Sequence, residues 1–134
     1  MAVKTYQGSC HCGAVAYEAD LDLEAGTGRC NCRICTKIRN WSVMTKPEAV
    51  RVLAGADALT EYEVGGGMGR HKFCRVCGVR PFMVGHLEQL GGDFASVQVA
   101  TLDLSPKEFA ALPITCADGR NDNWWNAPAL TNYL

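Results

Sequence analysis

Cys10-His11-Cys12, Cys30-Asn31-Cys32-Arg33-Ile34-Cys35 and Cys74-Arg75-Val76-Cys77-Gly78 gather seven of the chain's eight cysteines into three clusters. Zinc takes four ligands in a tetrahedron, at about 2.3 Å for sulfur, and a Cys-x-x-Cys turn presents two thiolates across one edge of it. Gly78 suits such a turn, because a residue without Cβ lets the backbone fold back and aim its amides at the sulfurs. The third cluster therefore reads as half of a zinc site. Cys10 and Cys12 can supply the other half if the strands carrying the two clusters pair in a sheet, which makes a closed, structural site. Cys30, Cys32 and Cys35 remain, the ligand count of a zinc with one position free. Three thiolates around a dication leave a net charge of about −1, so this centre polarises water weakly and suits a soft ligand. A thiol entering the free position is bound as thiolate at neutral pH, because the metal lowers its pKa. Closure of this site by Cys116 or His71 is the alternative, and it leaves two structural zincs. Spacing alone does not fix which pairs share a metal.

The rest of the chain narrows the context. With 134 residues, 48% of them hydrophobic, residues 1–134 suffice for one compact zinc-binding domain and not for two. Lys+Arg 13 against Asp+Glu 14 gives a formal net charge of -1, which speaks against a nucleic-acid partner and for a small molecule. No run approaches the roughly 18 apolar residues of a membrane span, and Met1-Ala2-Val3-Lys4-Thr5-Tyr6 lacks the pattern of a secretory signal. A cytoplasmic location is expected, and in that reducing compartment clustered cysteines bind metal rather than pair as disulfides.

Short β-like runs separated by glycine and polar punctuation predict strands at Val3–Gln7, Ala14–Glu18, Trp41–Thr45, Val50–Leu53, Leu59–Val64, His71–Phe73, Arg80–Val84 and Phe94–Val99. Gly65-Gly66-Gly67-Met68-Gly69 predicts a hairpin loop or flap, since glycine permits positive φ. Ser105-Pro106-Lys107-Glu108 combines an N-cap, a first-turn proline and a capping-box glutamate, so one short helix is expected at Pro106–Leu112. Asp118-Gly119-Arg120-Asn121-Asp122-Asn123-Trp124-Trp125 reads as a loop pinned by burial of its tryptophans. The expected fold is mainly β with one short helix near the C-terminus.

Gly8-Ser9-Cys10-His11-Cys12-Gly13-Ala14-Val15-Ala16-Tyr17-Glu18, the Cys30–Cys35 cluster and Phe73-Cys74-Arg75-Val76-Cys77-Gly78, in that order, resemble the glutathione-dependent formaldehyde-activating enzyme family. Gly91-Gly92-Asp93 and Asp118-Gly119-Arg120 resemble a bacterial branch of it. The resemblance implies a β-tent, small antiparallel sheets leaning together. It implies a structural zinc on Cys10, Cys12, Cys74 and Cys77 and a catalytic zinc on Cys30, Cys32 and Cys35. It also implies a carbon–sulfur lyase whose reverse reaction adds the glutathione thiol to formaldehyde, giving S-(hydroxymethyl)glutathione. The substrates are then a small-molecule thiol and an aldehyde. Many relatives carry histidine where this chain has Asn31, a change that bears on hydrogen bonding and access around the metal.

Other residues invite weighing. Strand alternation turns His11 away from its neighbouring cysteines. Cys116 reads as a buried small hydrophobe. Trp124 and Trp125 read as cover for a core edge rather than as pocket walls. Arg33, Arg39 and Arg80 are candidates to pair with the carboxylates of a tripeptide thiol, since guanidinium suits bidentate recognition. A non-catalytic thiol-sensing module and a zinc-folded adaptor are the competing classes, the adaptor disfavoured by arginines spread among acids.

Overall fold

Ala16-Tyr17-Glu18-Ala19-Asp20-Leu21 alternates in burial, with Tyr17, Ala19 and Leu21 inside, as a half-buried strand must. It is the second strand of a computed structural model that describes residues 2–134. In chain order the elements are β1 (Lys4–Ser9), β2 (Ala16–Leu21), β3 (Thr27–Cys30), α1 (Arg33–Ile38), β4 (Trp41–Thr45), β5 (Val50–Ala54), β6 (Leu59–Val64), β7 (Gly69–Cys74), β8 (Phe82–Leu87), β9 (Gly92–Gln98), α2 (Pro106–Ala110) and β10 (Ile114–Ala117). They form a three-stranded sheet, β1-β2-β5, and a seven-stranded sheet, β10-β3-β4-β9-β8-β7-β6. The fold is mainly β, and the two sheets lean together as a β-tent. Among the described residues no helix is long and apolar enough to cross a membrane.

The inner faces meet through Tyr17, Ala19 and Leu21 from the small sheet and Val43, Phe82 and Val97 from the large one. Tyr17 and Phe82 pack as a tilted aromatic pair, 5.8 Å between centroids. The Tyr17 hydroxyl shares a 2.6 Å hydrogen bond with Thr101 Oγ1, so its one polar atom is satisfied inside the core. A second, smaller core of Cys10, Val15, Ala58 and Cys74 lies where the first and third cysteine clusters meet.

All eight expected strands are present, Trp41–Thr45 and Leu59–Val64 with the expected ends and the other six with shifted ones. The glycine run joins β6 to β7 with positive φ at Gly65, Gly66 and Gly67. The capping box of α2 forms as expected, Glu108 N donating to Ser105 Oγ at 3.1 Å and Ser105 N to Glu108 Oε1 at 2.9 Å. Three elements were not foreseen: β3, β10 and α1. β10 pairs with β3 in parallel, which makes an otherwise antiparallel sheet mixed. The expected pairing of the first- and third-cluster strands does not occur, for β1 lies in the small sheet and β7 in the large one. The cysteines meet across the sheets, not along one.

Candidate metal centres

Cys10 directly follows β1 and Cys12 sits in the turn after it, while Cys74 ends β7 and Cys77 follows in a tight turn. The Sγ atoms of these four lie within 4.8 Å of one another. Cys10 to Cys12 and Cys12 to Cys74 are each 3.7 Å apart. The edge of a zinc–sulfur tetrahedron is about 3.8 Å, from bonds of about 2.3 Å, and a disulfide is far shorter, at about 2.05 Å. The donor set therefore fits zinc. Backbone amides serve the sulfurs, with Val15 N 3.3 Å from Cys10 Sγ and Val76 N 3.4 Å from Cys74 Sγ. The Cys12 amide, with that of Val79, holds the Cys77 thiol down at about 6. The Ala14 amide pulls Cys12 down too, but desolvation and its sulfur neighbours carry it up to about 11. Thiols this close ionise together only around a cation.

The second group is Cys30 at the end of β3, Cys32 directly before α1 and Cys35 on it, their sulfurs again within 4.8 Å. Cys32 is the N-cap of α1, its Sγ accepting from Cys35 N at 3.4 Å, and Cys30 Sγ accepts from Cys32 N at 3.4 Å. The thiols of Cys30 and Cys35 donate to Cys32 and hold it far below the ordinary thiol range, at about 2. Cys30 and Cys35 are pushed up in return, first by these same thiol contacts. Among the described residues no other His, Cys, Asp or Glu joins this group, so neither Cys116 nor His71 closes it.

Asn31 lies buried between the first two of these cysteines and ties the loop to the C-terminal segment. Its Nδ2 donates to Asp118 Oδ1 at 2.7 Å, and its Oδ1 accepts from the Arg120 amide at 2.9 Å. Its carbonyl accepts from Thr36 Oγ1 at 3.0 Å and from Arg120 Nε at 3.1 Å. Asp118 is held below the usual carboxylate range by the amides of Asn121 and Asn31. This network, not tryptophan burial, pins the Asp118–Trp125 loop: Trp124 is 52% exposed and Trp125 86%. Trp124 stands beside the metal group instead of covering a core edge, for a Cβ on Gly119 would lie 2.6 Å from its ring and 2.7 Å from Cys30 Sγ.

A half-buried arginine and a buried histidine face the same region. Arg80 donates from Nη2 to Asn40 Oδ1 at 2.6 Å, while its Nε and Nη1 are buried without a partner. Burial lowers its pKa, and the nearby charge of Cys35 opposes that. A buried cation with free donors is what a zinc bound by three thiolates, net negative, requires of its surroundings, so these residues also fit the metal. His71 is buried with Nδ1 unpartnered, and burial, then the charge of Arg80, lowers its pKa and leaves it neutral. A cavity of about 120 Å³ adjoins the group, lined by Arg29, Cys30, Cys35, Arg39 and Asn40 among others.

The family model described as glutathione-dependent formaldehyde-activating enzyme matches residues 5–114. The chain belongs to this family. Among solved structures it is similar to a Rhodobacter sphaeroides protein, 32% identical, with 81% of this chain and 99% of that one covered and a TM-score of 0.67. Both cysteine groups of this formaldehyde-activating family member, which could bind zinc, lie inside the matched residues. Asp118, Gly119 and Trp124 lie beyond them. His11 is exposed in a turn rather than on a strand, and half-buried Cys116 lies on β10. Of the arginines singled out in the sequence, Arg39 lines the cavity and Arg80 is held by Asn40, whereas Arg33 is exposed on α1. Arg29, beside Cys30, was missed. Its signal was a cation directly before a candidate ligand cysteine.

Proposed function

We propose that the chain joins a small thiol to an aldehyde such as formaldehyde through Cys30, Cys32 and Cys35. The observation that carries this reading is the contrast between two converged groups, one of four sulfurs and one of three with no fourth donor among the described residues. Cys10, Cys12, Cys74 and Cys77 would hold a structural zinc. Cys30, Cys32 and Cys35 would hold a zinc whose chemical contribution, when bound, is to keep a fourth, exogenous sulfur as thiolate at neutral pH.

The chain's own residues account for the rest. The Asn31 network fixes the loop between ligands, so the three sulfurs need little reorganisation. Arg80 offsets negative charge gathered on sulfur. His71, buried with Nδ1 unpartnered and close enough to Cys32 to feel its charge, would accept the thiol proton. Trp124 stands on the Gly119 side of Cys30. In the overall reaction a sulfur–carbon bond forms, the carbonyl π bond breaks, and the thiol proton ends on the new hydroxyl oxygen.

The test uses protein with cobalt in the three-cysteine site. Adding glutathione should change the sulfur-to-metal absorption, and formaldehyde should then yield an S-hydroxymethyl adduct visible by NMR. Cys32→Ser should abolish both. A spectrum indifferent to every small thiol would leave a protein with two structural zincs and no such activity.

A further inference from the structure

Residues 127–134 are fastened to the protein at two points. They belong to no strand or helix, and of the eight only Pro128 and Leu134 are half-buried, the others exposed. Leu134 N turns back to the main-chain oxygen of Thr131 at 3.0 Å, inside the segment. Among the described residues, hydrogen bonds connect the segment to other parts of the chain only at Arg29 and Arg39. Arg29 Nη1 donates to the main-chain oxygen of Leu134 at 2.8 Å, and Arg39 Nη1 donates to that of Tyr133.

These two arginines bracket the three-cysteine stretch. Arg29 directly precedes Cys30, and Arg39 closes α1, which carries Cys35. Arg29 lies over the Trp41 ring, 5.0 Å from its centroid, and that ring is fixed by a 2.8 Å hydrogen bond from Trp41 Nε1 to Thr27 Oγ1. Arg39 is held in a left-handed conformation, φ 54 and ψ 52, where glycine is the usual occupant, so an arginine is carried there against local preference. Leu134 is itself a wall of the cavity, of about 120 Å³, that Cys30 and Cys35 line. That volume lies below the roughly 300 Å³ at which small-molecule pockets begin, so with Leu134 seated the cavity takes a molecule of a few atoms at most.

We propose that residues 131–134 are a latch on the three-cysteine site, closed in this structure, and that any larger molecule reaches the sulfurs of Cys30 and Cys35 by lifting it. The segment is mostly exposed, so once its two ties part, little buried contact opposes the opening. The latch lies beyond residues 5–114, the stretch that the family model matches, so the matched framework does not include it. That the entering molecule is a thiol rests on the function proposed above; that the latch controls access does not.

The chelator 4-(2-pyridylazo)resorcinol, too large for the closed cavity, reads access without thiol chemistry. Zinc transfer to it from the loaded full chain should show two phases. The faster belongs to the three-cysteine site, and Cys32→Ser should remove it. Deleting residues 131–134 should speed that phase about tenfold or more, the range for lost charged hydrogen bonds, and leave the slower phase unchanged. Arg39→Gly removes one tie and suits the left-handed backbone, so it should speed the same phase by a smaller factor. It carries the test if the shortened chain fails to fold. An unchanged faster phase in the folded variants overturns the latch, as does equal acceleration of both phases, the mark of a loosened fold. If that result comes with intact S-hydroxymethyl adduct formation, the latch falls and the thiol reading stands. Selective acceleration of the faster phase, with no adduct from any thiol, supports the latch and overturns the thiol reading alone.

Discussion

Asn31 links the candidate metal chemistry to the fold by single hydrogen bonds. Its side chain is 3% exposed and donates to one loop group while accepting from another. Asn31→Ala leaves the Asp118 oxygen and the Arg120 amide without those partners, which should cost about 1–3 kcal/mol in unfolding free energy. Asn31→Asp should cost more at neutral pH, since it sets a second carboxylate against Asp118 where an amide now donates at 2.7 Å. Urea titrations of the two variants check the order; an aspartate variant as stable as wild type would remove Asn31 from this role. Gly119→Ala tests the other contact. A Cβ there would meet Cys30 Sγ at 2.7 Å and Trp124 at 2.6 Å, so the metal content of the three-cysteine site should drop while the four-cysteine site stays loaded. Cobalt absorption and tryptophan fluorescence read the two effects.

At the scale of elements, what the sequence could show follows from how each element is stabilised. β2, β6 and β9 carry apolar or β-branched residues in strand-like runs, and α2 carries its cap in the expected residue types, so these were legible. α1 was not, because its N-cap is the sulfur of Cys32 rather than a serine or aspartate oxygen, and its left-handed C-cap is Arg39 rather than glycine. β3 reads Thr-Gly-Arg-Cys and β10 Ile-Thr-Cys-Ala, too short to show a period; β10 pairs only with β3, in parallel and far along the chain, and β3 is held between β10 and the antiparallel β4. The cysteine grouping was legible in part. Spacing and resemblance together anticipated which sulfurs converge, whereas the joining of different sheets depended on tertiary packing. The same scale explains an acid response. Arg51 on β5 donates to Asp20 on β2 at 2.8 and 2.9 Å, and this bond with that from Thr5 lowers Asp20 to about 2. A carboxyl lowered on folding contributes stability above its unfolded pKa of about 3.9, and the contribution is lost as pH falls toward about 2. Asp20→Asn should flatten the decline in melting temperature between about pH 4 and pH 2. The change should be small, because both side chains are over a third exposed or nearly so, at 41% and 35%.

For the whole molecule, the two cysteine groups occupy different mechanical positions, and that difference predicts how the protein comes apart. Cys10, Cys12, Cys74 and Cys77 join the turn after β1 to the end of β7, and thus one sheet to the other, with Cys12 and Cys74 separated by 62 positions in the chain. Cys30, Cys32 and Cys35 close only a local loop, itself tied down by Asn31. A metal in the first group constrains a long chain segment and draws on four sulfurs, so its binding free energy is largely folding free energy. A metal in the second draws on three and can be lost with the sheets intact. Chelator titration of zinc-loaded protein should therefore proceed in two steps of about one zinc each. The first should remove thiol-dependent chemistry and leave slow-exchanging core amides such as those of Val97 and Val99, which are fully buried, protected. The second should open both sheets together. Cys74→Ser should enter the second state directly and refold only with excess zinc, whereas Cys32→Ser should resemble the product of the first step. Brief alkylation after the first step should label Cys32 ahead of Cys30 and Cys35, because its thiol alone among the three is lowered. Labelling of Cys77 should wait for the second step. Mass spectrometry of the labelled chain, with metal counted in parallel, reads the order. Simultaneous loss of both metals, or early labelling of Cys77, would mean that the two groups do not divide structural and chemical work in this way.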